Sequence, residues 1–165
     1  MRRSTIAASW IMVALAACVK AEDPAPQAQQ APPAAASSAE PDYVKVQHIL
    51  IAFKNAVGFS RMPLPPGASA RTRDAAERLA VELLSRARKG EDFGELVNQY
   101  TDDSPPGIYG MLNKGRPTKE GDYARSGMAP AFGDVGFKLK VGEIGMATYD
   151  PQKSPFGWHI IKRIE

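Results

Sequence analysis

Two histidines are the side chains best placed to do chemistry in this 165-residue chain, and they are its only histidines. His48 lies in the apolar run Val44–Phe53 and His159 in the run Phe156–Ile164, and both runs have the composition of β-strands. Imidazole titrates near neutral pH, so two imidazoles on neighbouring strands can form one shared interior site. A single histidine in a strand is most often a hydrogen-bonded core residue, and the pattern alone leaves both interpretations open.

One α+β domain over residues 42–165 is predicted to position the two histidines. A strand at 44–53 is followed by a Gly- and Pro-rich loop at 54–72 and by a helix at 73–89 with its small and apolar residues on one face. A shorter helix starts at Asp92, with Glu95 in a capping-box position. Residues 101–127 are predicted to be irregular, 130–137 to form helical turns, and 145–149 and 158–164 to form strands. This order of elements predicts an antiparallel sheet with helices packed against it.

The N-terminal segment has the features of a bacterial export signal. Arg2 and Arg3 precede an apolar stretch that is too short to span a membrane, and Leu15-Ala-Ala-Cys18 resembles a lipobox. Residues 1–18 are therefore predicted to be a lipoprotein signal peptide, with Cys18 as the lipidated residue after cleavage. An ordinary signal peptide with a chance cysteine near its cleavage site is the alternative.

Residues 19–41 consist mainly of Ala, Pro, Gln and Ser, with no apolar periodicity. Such a composition predicts a disordered tether that holds the domain away from the bilayer. The folded part is then expected outside the cytoplasm in the cell envelope, anchored by lipid. Val19 after the cysteine favours an outer-membrane anchor that faces the periplasm, if the cell is Gram-negative.

Charge and cysteine content exclude several classes of function. The formal net charge is +3, and loss of Arg2 and Arg3 with the signal peptide leaves about +1. No block of Lys and Arg with interleaved aromatics is present, so nucleic acid is not an expected partner. A single cysteine excludes an intrachain disulfide and most zinc arrangements. Neither a metal nor an organic cofactor is expected.

Eight short motifs follow one another along the predicted domain: Val46-Gln-His-Ile-Leu-Ile51, the Ala-rich helix, Gly90-Glu-Asp-Phe93, Tyr100-Thr-Asp-Asp103, Met128-Ala-Pro-Ala-Phe132, Phe137-Lys-Leu139, Gly142-Glu-Ile144 and Phe156-Gly-Trp-His-Ile-Ile161. In this order they resemble the parvulin family of peptidyl-prolyl cis/trans isomerases over about residues 44–165. The resemblance implies a small antiparallel four-stranded sheet surrounded by about three to four helices. It also implies rotation about X-Pro bonds as the activity.

The resemblance also implies a set of site residues. His48 and His159 correspond to the family's paired histidines, Asp103 to the acidic residue beside them, and Ser154 to a hydroxyl residue of the same network. An apolar cup for the proline ring is expected from three further residues, Met128, Phe132 and Phe156. Taken without the resemblance, Asp103 is a good solvated turn residue and Met128 and Phe132 are ordinary core residues at i, i+4 spacing.

The sequence departs from the family at the Gly-Asp-Leu-Gly segment, which supplies a leucine to the cup. Gly110-Met-Leu112 and Gly121-Asp-Tyr123 each match part of it, so either Leu112 or Tyr123 is expected to take that place. In the loop 54–72, where some parvulins carry adjacent basic residues for phosphate, Arg61 has no basic neighbour, and Arg71 and Arg73 lie at the helix start. No selectivity for phosphorylated substrates is therefore expected.

The sequence thus predicts an exported, lipid-anchored prolyl isomerase that assists the folding of proline-containing exported proteins. One alternative is a catalytically weak chaperone or envelope assembly factor that binds proline segments in the same cup. A second alternative is a purely structural envelope lipoprotein, which leaves the ordered motifs unexplained.

Overall fold

The computed structural model describes residues 40–165, and these form a mixed sheet with helices on both faces. The predicted signal peptide with Cys18 and nearly all of the predicted tether lie outside the described residues. Within residues 40–165, no helix combines the length and the apolar character needed to cross a membrane.

Five strands form the sheet in the order β3-β2-β1-β5-β4. They are β1 (Tyr43–Ile51), β2 (Ile108–Leu112), β3 (Asp122–Ala124), β4 (Ile144–Ala147) and β5 (Trp158–Arg163). Strand β1 pairs with β2 and β5, β5 also pairs with β4, and all three pairings are antiparallel. The first and last long strands of the domain are therefore central neighbours.

The α+β fold is confirmed, with two corrections. The sheet has five strands rather than four, and the additional strand, β3, runs parallel to β2. Residues 101–127, predicted to be irregular, contain both of these strands. Gly, Pro and charged residues flank β2 closely and shorten its apolar run, which is why the pattern did not predict it.

Three α-helices cover the sheet, α1 (Arg73–Arg88), α2 (Phe93–Tyr100) and α3 (Pro130–Lys138). Their bounds agree with the predicted helices to within one residue or so. The side chain of Thr72 accepts a hydrogen bond from the Ala75 amide, and that of Asp92 accepts one from the Glu95 amide, so the first two helices begin with N-caps. Pro130 at the first position begins α3.

The two faces of the sheet carry different side chains. On one face, Ile49, Ile51, Trp158 and Ile160 pack against α1 and α2 in an entirely apolar core. Alternate residues of the same strands point to the other face, where α3 packs against the core formed by Val44, Val46, Met111, Phe132, Phe137, Ala147 and Ile161. Both histidines belong to this second face because they alternate with Ile49 and Ile160 along their strands.

A long loop between β1 and α1 is fastened by a nearly buried ion pair. The Arg71 guanidinium pairs with the Asp102 carboxylate and donates to the Ala52 carbonyl at 2.7 Å. The same carboxylate accepts a hydrogen bond from the Ala52 amide at 2.8 Å. The loop is thereby held against the end of β1, beside the segment that follows α2.

Candidate active site

His48 and His159 meet on the α3 face of the sheet. In the β1–β5 register, His48 lies opposite Ile161 and His159 opposite Leu50, so the two histidines are diagonal neighbours on the same face. Their Nδ1 atoms are 3.3 Å apart and both side chains are buried. The imidazole rings are stacked, with a centroid separation of 5.4 Å.

Asp103 extends this pair into a chain of three polar groups. Its Oδ2 lies 3.1 Å from His48 Nε2. Two contacts seat the segment that carries it: the Thr101 hydroxyl accepts from the Leu50 amide, and the Asp102 amide donates to the Leu50 carbonyl. The end of α2 therefore runs beside β1, with Asp102 turned toward Arg71 and Asp103 turned toward His48.

The hydrogen bonds define a consistent protonation state for the three groups. The bond to His48 lowers the pKa of Asp103 below its usual range, so its carboxylate is ionised at neutral pH. Burial lowers the pKa of His159 to about 3, so this imidazole is neutral. If His48 Nε2 donates to Asp103, His48 Nδ1 accepts from His159 Nδ1–H. His159 Nε2, which is buried and has no hydrogen-bond partner, then carries only a lone pair.

An open cavity of about 290 Å³ lies over the hydrogen-bonded side chains of His48, His159 and Asp103. Its walls are mainly apolar, and His48, Asp103 and His159 lie among them. The lining residues are His48, Leu50, Phe59, Met62, Asp102, Asp103, Tyr109, Gly127, Met128, Ala129, Phe132, Phe156 and His159. Convergence of a few polar groups in an apolar pocket is typical of a ligand site.

The structure places Met128, Phe132 and Phe156 in the cavity wall. Phe132 is buried at the base of the cavity, with its ring edge-on to both imidazoles at centroid distances of 5.0 and 5.3 Å. Met128 and Ala129 reach the cavity from the turn that precedes α3. Phe156 packs its ring against Phe59 of the long loop, at 5.4 Å.

Leu112 and Tyr123 do not line the cavity. Leu112 alternates with Met111 along β2, so its side chain points to the opposite face of the sheet. Tyr123 lies on β3, is 49 % exposed, and packs against the outer side of Tyr109 with ring centroids 5.4 Å apart. The residue that β2 does supply to the cavity is Tyr109.

Ser154 is buried but does not join the histidines. Its hydroxyl donates to the Gly157 carbonyl at 2.9 Å, within the turn that leads into β5. A Cβ on Gly157 would approach the Ile51 carbonyl oxygen to 2.2 Å, so this turn lies directly against β1. Ser154 thus stabilises the backbone just before His159 rather than the imidazole itself.

Sequence reasoning missed Tyr109, which is hydrogen-bonded to the same group of polar side chains. Its hydroxyl donates to Asp103 Oδ2 at 2.8 Å. Gly107 allows β2 to begin beside His48: its φ is +64°, and a Cβ there would come within 2.6 Å of the His48 carbonyl oxygen. The pattern Gly107-Ile-Tyr-Gly110 was the available signal, and the prediction of an irregular 101–127 segment hid it.

The loop residues Phe59 and Met62 were also missed, because nothing in a Gly- and Pro-rich stretch indicates which side chains turn inward. Both line the cavity beside Leu50 and Phe156. Met62 is about half exposed, at the mouth. The long loop therefore contributes an apolar rim in addition to its fastening through Arg71.

A second, larger groove of about 710 Å³ lies between the α1–α2 turn and β4. Its charged residues carry both signs: Arg88 and Lys162 face Glu91, Asp92 and Glu143. Asp92 already caps α2 and Glu91 pairs with Arg86, so much of this charge is used within the fold. The cavity over the histidines is the better candidate site.

The fold, the paired histidines and the apolar cavity together define a parvulin-type domain. The family described as "Rotamase: PPIC-type PPIASE domain" matches residues 48–165. The chain therefore belongs to the PPIC-type peptidyl-prolyl isomerase family, the parvulins.

Several curated proteins are similar over part of their length. "Foldase protein PrsA" of Bacillus subtilis (strain 168) is 37 % identical over 92 residues, which is 55 % of this chain and 27 % of that protein. "Chaperone SurA" of Pseudomonas fluorescens (strain Pf-5) is 30 % identical over 122 residues, which is 73 % of this chain and 22 % of that protein. The chain thus spans about a quarter of the length of the curated relatives it matches.

Solved structures share the fold. "Peptidyl-prolyl isomerase ESS1 from Candida albicans" superposes with a TM-score of 0.55 and 26 % identity over 75 % of this chain and 63 % of that one. "Solution structure of the TbPIN1" superposes with the same TM-score and 21 % identity over 75 % of this chain and 98 % of that one. The second similarity concerns the fold alone.

Proposed function

We propose that this chain catalyses cis/trans isomerisation of X-Pro bonds in exported proteins as they fold. The main support is an apolar cavity of about 290 Å³ that lies over the hydrogen-bonded side chains of His48, His159 and Asp103. Membership of the parvulin family, and the names foldase and chaperone carried by relatives, point the same way.

Rotation about an X-Pro bond needs no nucleophile. The barrier of about 18–20 kcal/mol comes from amide resonance, which is lost when the bond twists. An apolar cavity favours the less polar twisted amide over the charge-separated planar one. Fixed polar groups at its edge then stabilise the pyramidal nitrogen and the carbonyl in their twisted geometry. Every 1.36 kcal/mol of such differential binding is about tenfold in rate.

In this scheme the proline ring is held by Met128, Phe132 and Phe156. The ionised carboxylate of Asp103 provides a negative charge at the edge of the cavity. His48 and His159 orient Asp103 and do not act as bases, because His159 is neutral with its Nε2 buried and His48 Nε2 faces the carboxylate. Ser154 is assigned a supporting role, in which it fixes the turn that carries Phe156 and His159.

The charge of the cavity indicates which residues before proline it accepts. Among the described residues, the side chains that line the cavity include no lysine or arginine, and Asp103 contributes a negative charge. An acidic or phosphorylated residue before proline would meet that charge without a counter-ion. The proposed substrates therefore carry neutral or basic residues at that position.

We propose that the protein acts in the cell envelope, tethered to a membrane through lipidated Cys18. The support is the signal-like segment with its lipobox and the Ala-, Pro- and Gln-rich stretch that follows. Proline-containing proteins that fold after export are the proposed partners. No described group of three or more His, Cys, Asp or Glu side chains could hold a metal, and the proposed mechanism uses none.

A non-catalytic chaperone that binds proline segments is the second candidate. It is favoured by the altered Gly-Asp-Leu-Gly segment, since β2 supplies the bulky ring of Tyr109, and neither Leu112 nor Tyr123 lines the cavity. A chaperone of this kind would bind proline peptides in the same cavity without accelerating their isomerisation.

The test is a prolyl isomerisation assay on the full chain with a panel of X-Pro peptides, in which Met128→Ala is compared with Met146→Ala. Both methionines are partly buried, but Met128 lines the cavity and Met146 packs on the α1 face. We expect Met128→Ala to lower kcat/KM by about tenfold through lost apolar contact, and Met146→Ala to leave it near the wild-type value. Peptide binding with no acceleration by the wild-type chain would instead establish the chaperone.

A further inference from the structure

We propose that the Tyr109 hydroxyl is a positioning group that holds the Asp103 carboxylate in its working orientation and charge state. This inference rests on the proposed isomerase function, in which Asp103 supplies the field at the edge of the cavity. It assigns the hydroxyl of Tyr109 a role separate from that of its ring, which forms part of the apolar wall.

Two donors converge on one carboxylate oxygen. Tyr109 O–H lies 2.8 Å from Asp103 Oδ2, and His48 Nε2 lies 3.1 Å from the same atom. Two side-chain donors from different strands restrict rotation of the carboxylate about its Cβ–Cγ bond more than one donor does. His48 approaches from β1 and Tyr109 from β2, so the orientation of Asp103 is tied to the sheet.

The Tyr109 ring is itself fixed by its aromatic neighbours. It packs edge-on against His48 at 5.1 Å and Phe132 at 6.1 Å on the cavity side. On the outer side it meets Tyr123 at 5.4 Å. Tyr123 is carried by β3, whose register puts it beside Met111 of β2. Strand β3 thus supports Tyr109, the residue that holds Asp103.

The groups around Asp103 favour its ionised form. His48 on β1 and Tyr109 on β2 both face it, and neutral His159 on β5 lies behind His48. The neighbouring Asp102 carboxylate is paired with Arg71 and so does not compete for these donors. The hydrogen bonds from His48 and Tyr109 lower the pKa of Asp103, while burial and the contact with Asp103 raise the pKa of Tyr109 above its usual value. The phenol therefore remains a donor throughout the neutral range.

Removing only the hydroxyl separates the two roles of Tyr109. In Tyr109→Phe the ring and its aromatic contacts remain, while Asp103 loses one of its two side-chain donors. We expect kcat/KM to fall by about three- to tenfold at neutral pH, in line with one hydrogen bond to a charged group. We also expect the pKa of Asp103 to rise, because its carboxylate loses a donor that favours the ionised form.

The experiment measures kcat/KM against pH for the full chain and for three variants: Tyr109→Phe, Asp103→Asn and the double variant. In the double variant, removal of the hydroxyl should have little further effect, because its partner charge is already absent. Tyr100→Phe is the matched control, since Tyr100 accepts a hydrogen bond from Arg86 outside the cavity. Its profile should follow that of the wild type. An unchanged kcat/KM in Tyr109→Phe, or fully additive effects in the double variant, would overturn the proposal.

A second readout separates this inference from the proposed function. Carboxyl carbon NMR can follow the titration of Asp103 directly, with Asp103→Asn used for assignment, whether or not the chain is an isomerase. An upward shift of that titration in Tyr109→Phe would support the inference even if the wild type proved inactive. An unchanged titration would overturn it, and activity of the wild type would leave the isomerase proposal standing.

Discussion

The two faces of the sheet are built from the same strands but do different work. On the α1 and α2 face, Ile49 and Ile160 lie in a core with no polar side chain among its buried members. On the α3 face, the next residues along the same strands are His48 and His159, which are also buried. Strand alternation alone separates a face that stabilises the fold from a face that carries the site.

The site depends on stability that the apolar face supplies. Burying two imidazoles and part of a carboxylate opposes folding unless each finds hydrogen-bond partners, and His159 Nε2 has none in the described structure. The apolar face buries no histidine or carboxylate that would oppose folding in this way, and α1 alone buries Leu83 and three alanines against it. Changes on the apolar face should therefore act on folding, and changes on the site face should act mainly on function.

The largest expected effect comes from Leu83→Ala on the apolar face. Leu83 is fully buried between α1 and the sheet, so truncation should leave a cavity and lower the free energy of unfolding by about 2–5 kcal/mol. The activity of the remaining folded molecules should stay unchanged. Chemical denaturation with isomerase assays under native conditions measures both quantities.

Phe132→Leu is the matched change on the site face. It removes less volume from a buried position and should destabilise the fold less, yet it should lower kcat/KM more, since Phe132 touches both imidazoles and lines the cavity. If both variants lost stability and activity in the same proportion, the division of labour between the faces would be wrong.

The sequence predicted most of the apolar face and about half of the site. Strands β1 and β5 and all three helices were readable because their apolar residues recur with a clear period, as in Ala76, Ala80, Leu83 and Ala87 of α1. His48, His159 and Asp103 were found through their motifs, and the structure brings the three together.

Residues whose position depends on tertiary contacts were not predictable. Tyr109 lies in a five-residue strand flanked by glycines and prolines, and only its pairing with β1 reveals which way it points. Ser154 was placed in the histidine network, but the nearest acceptor that its turn offers is the Gly157 carbonyl. Local pattern identifies regular elements, whereas these two side chains are directed by neighbours far away in sequence.

The free energy of unfolding should depend on pH through the site face, because only that face buries histidines. An unfolded histidine titrates near 6.5, whereas burial lowers the pKa of His159 to about 3. Between these values the unfolded state binds a proton that the folded state does not, so stability is complete above about pH 6.5 and falls as the pH drops. This linkage should cost about 2 kcal/mol between pH 7.5 and 5.

Urea denaturation of the full chain and of His159→Asn across this range measures the effect. The asparagine amide can still donate to His48 Nδ1 but has no proton to gain. Its unfolding free energy should therefore fall less steeply than that of the wild type, whatever its absolute value. Parallel curves for the two proteins would mean that His159 is accessible to protons in the folded state.

The smallest expected effect tests whether the two faces are coupled through α2. This helix packs on the apolar face through Phe93, Leu96 and Val97, but its last turn leads directly into Asp103. Asp92→Ala removes the N-cap that accepts from the Glu95 amide and should lower the free energy of unfolding by about 1 kcal/mol. Because Thr101 and Asp102 hold the following segment to β1 independently of the cap, kcat/KM should not change. Thermal melts and the isomerase assay measure the two quantities, and a fall in kcat/KM beyond about twofold would show that the far end of α2 transmits strain to Asp103.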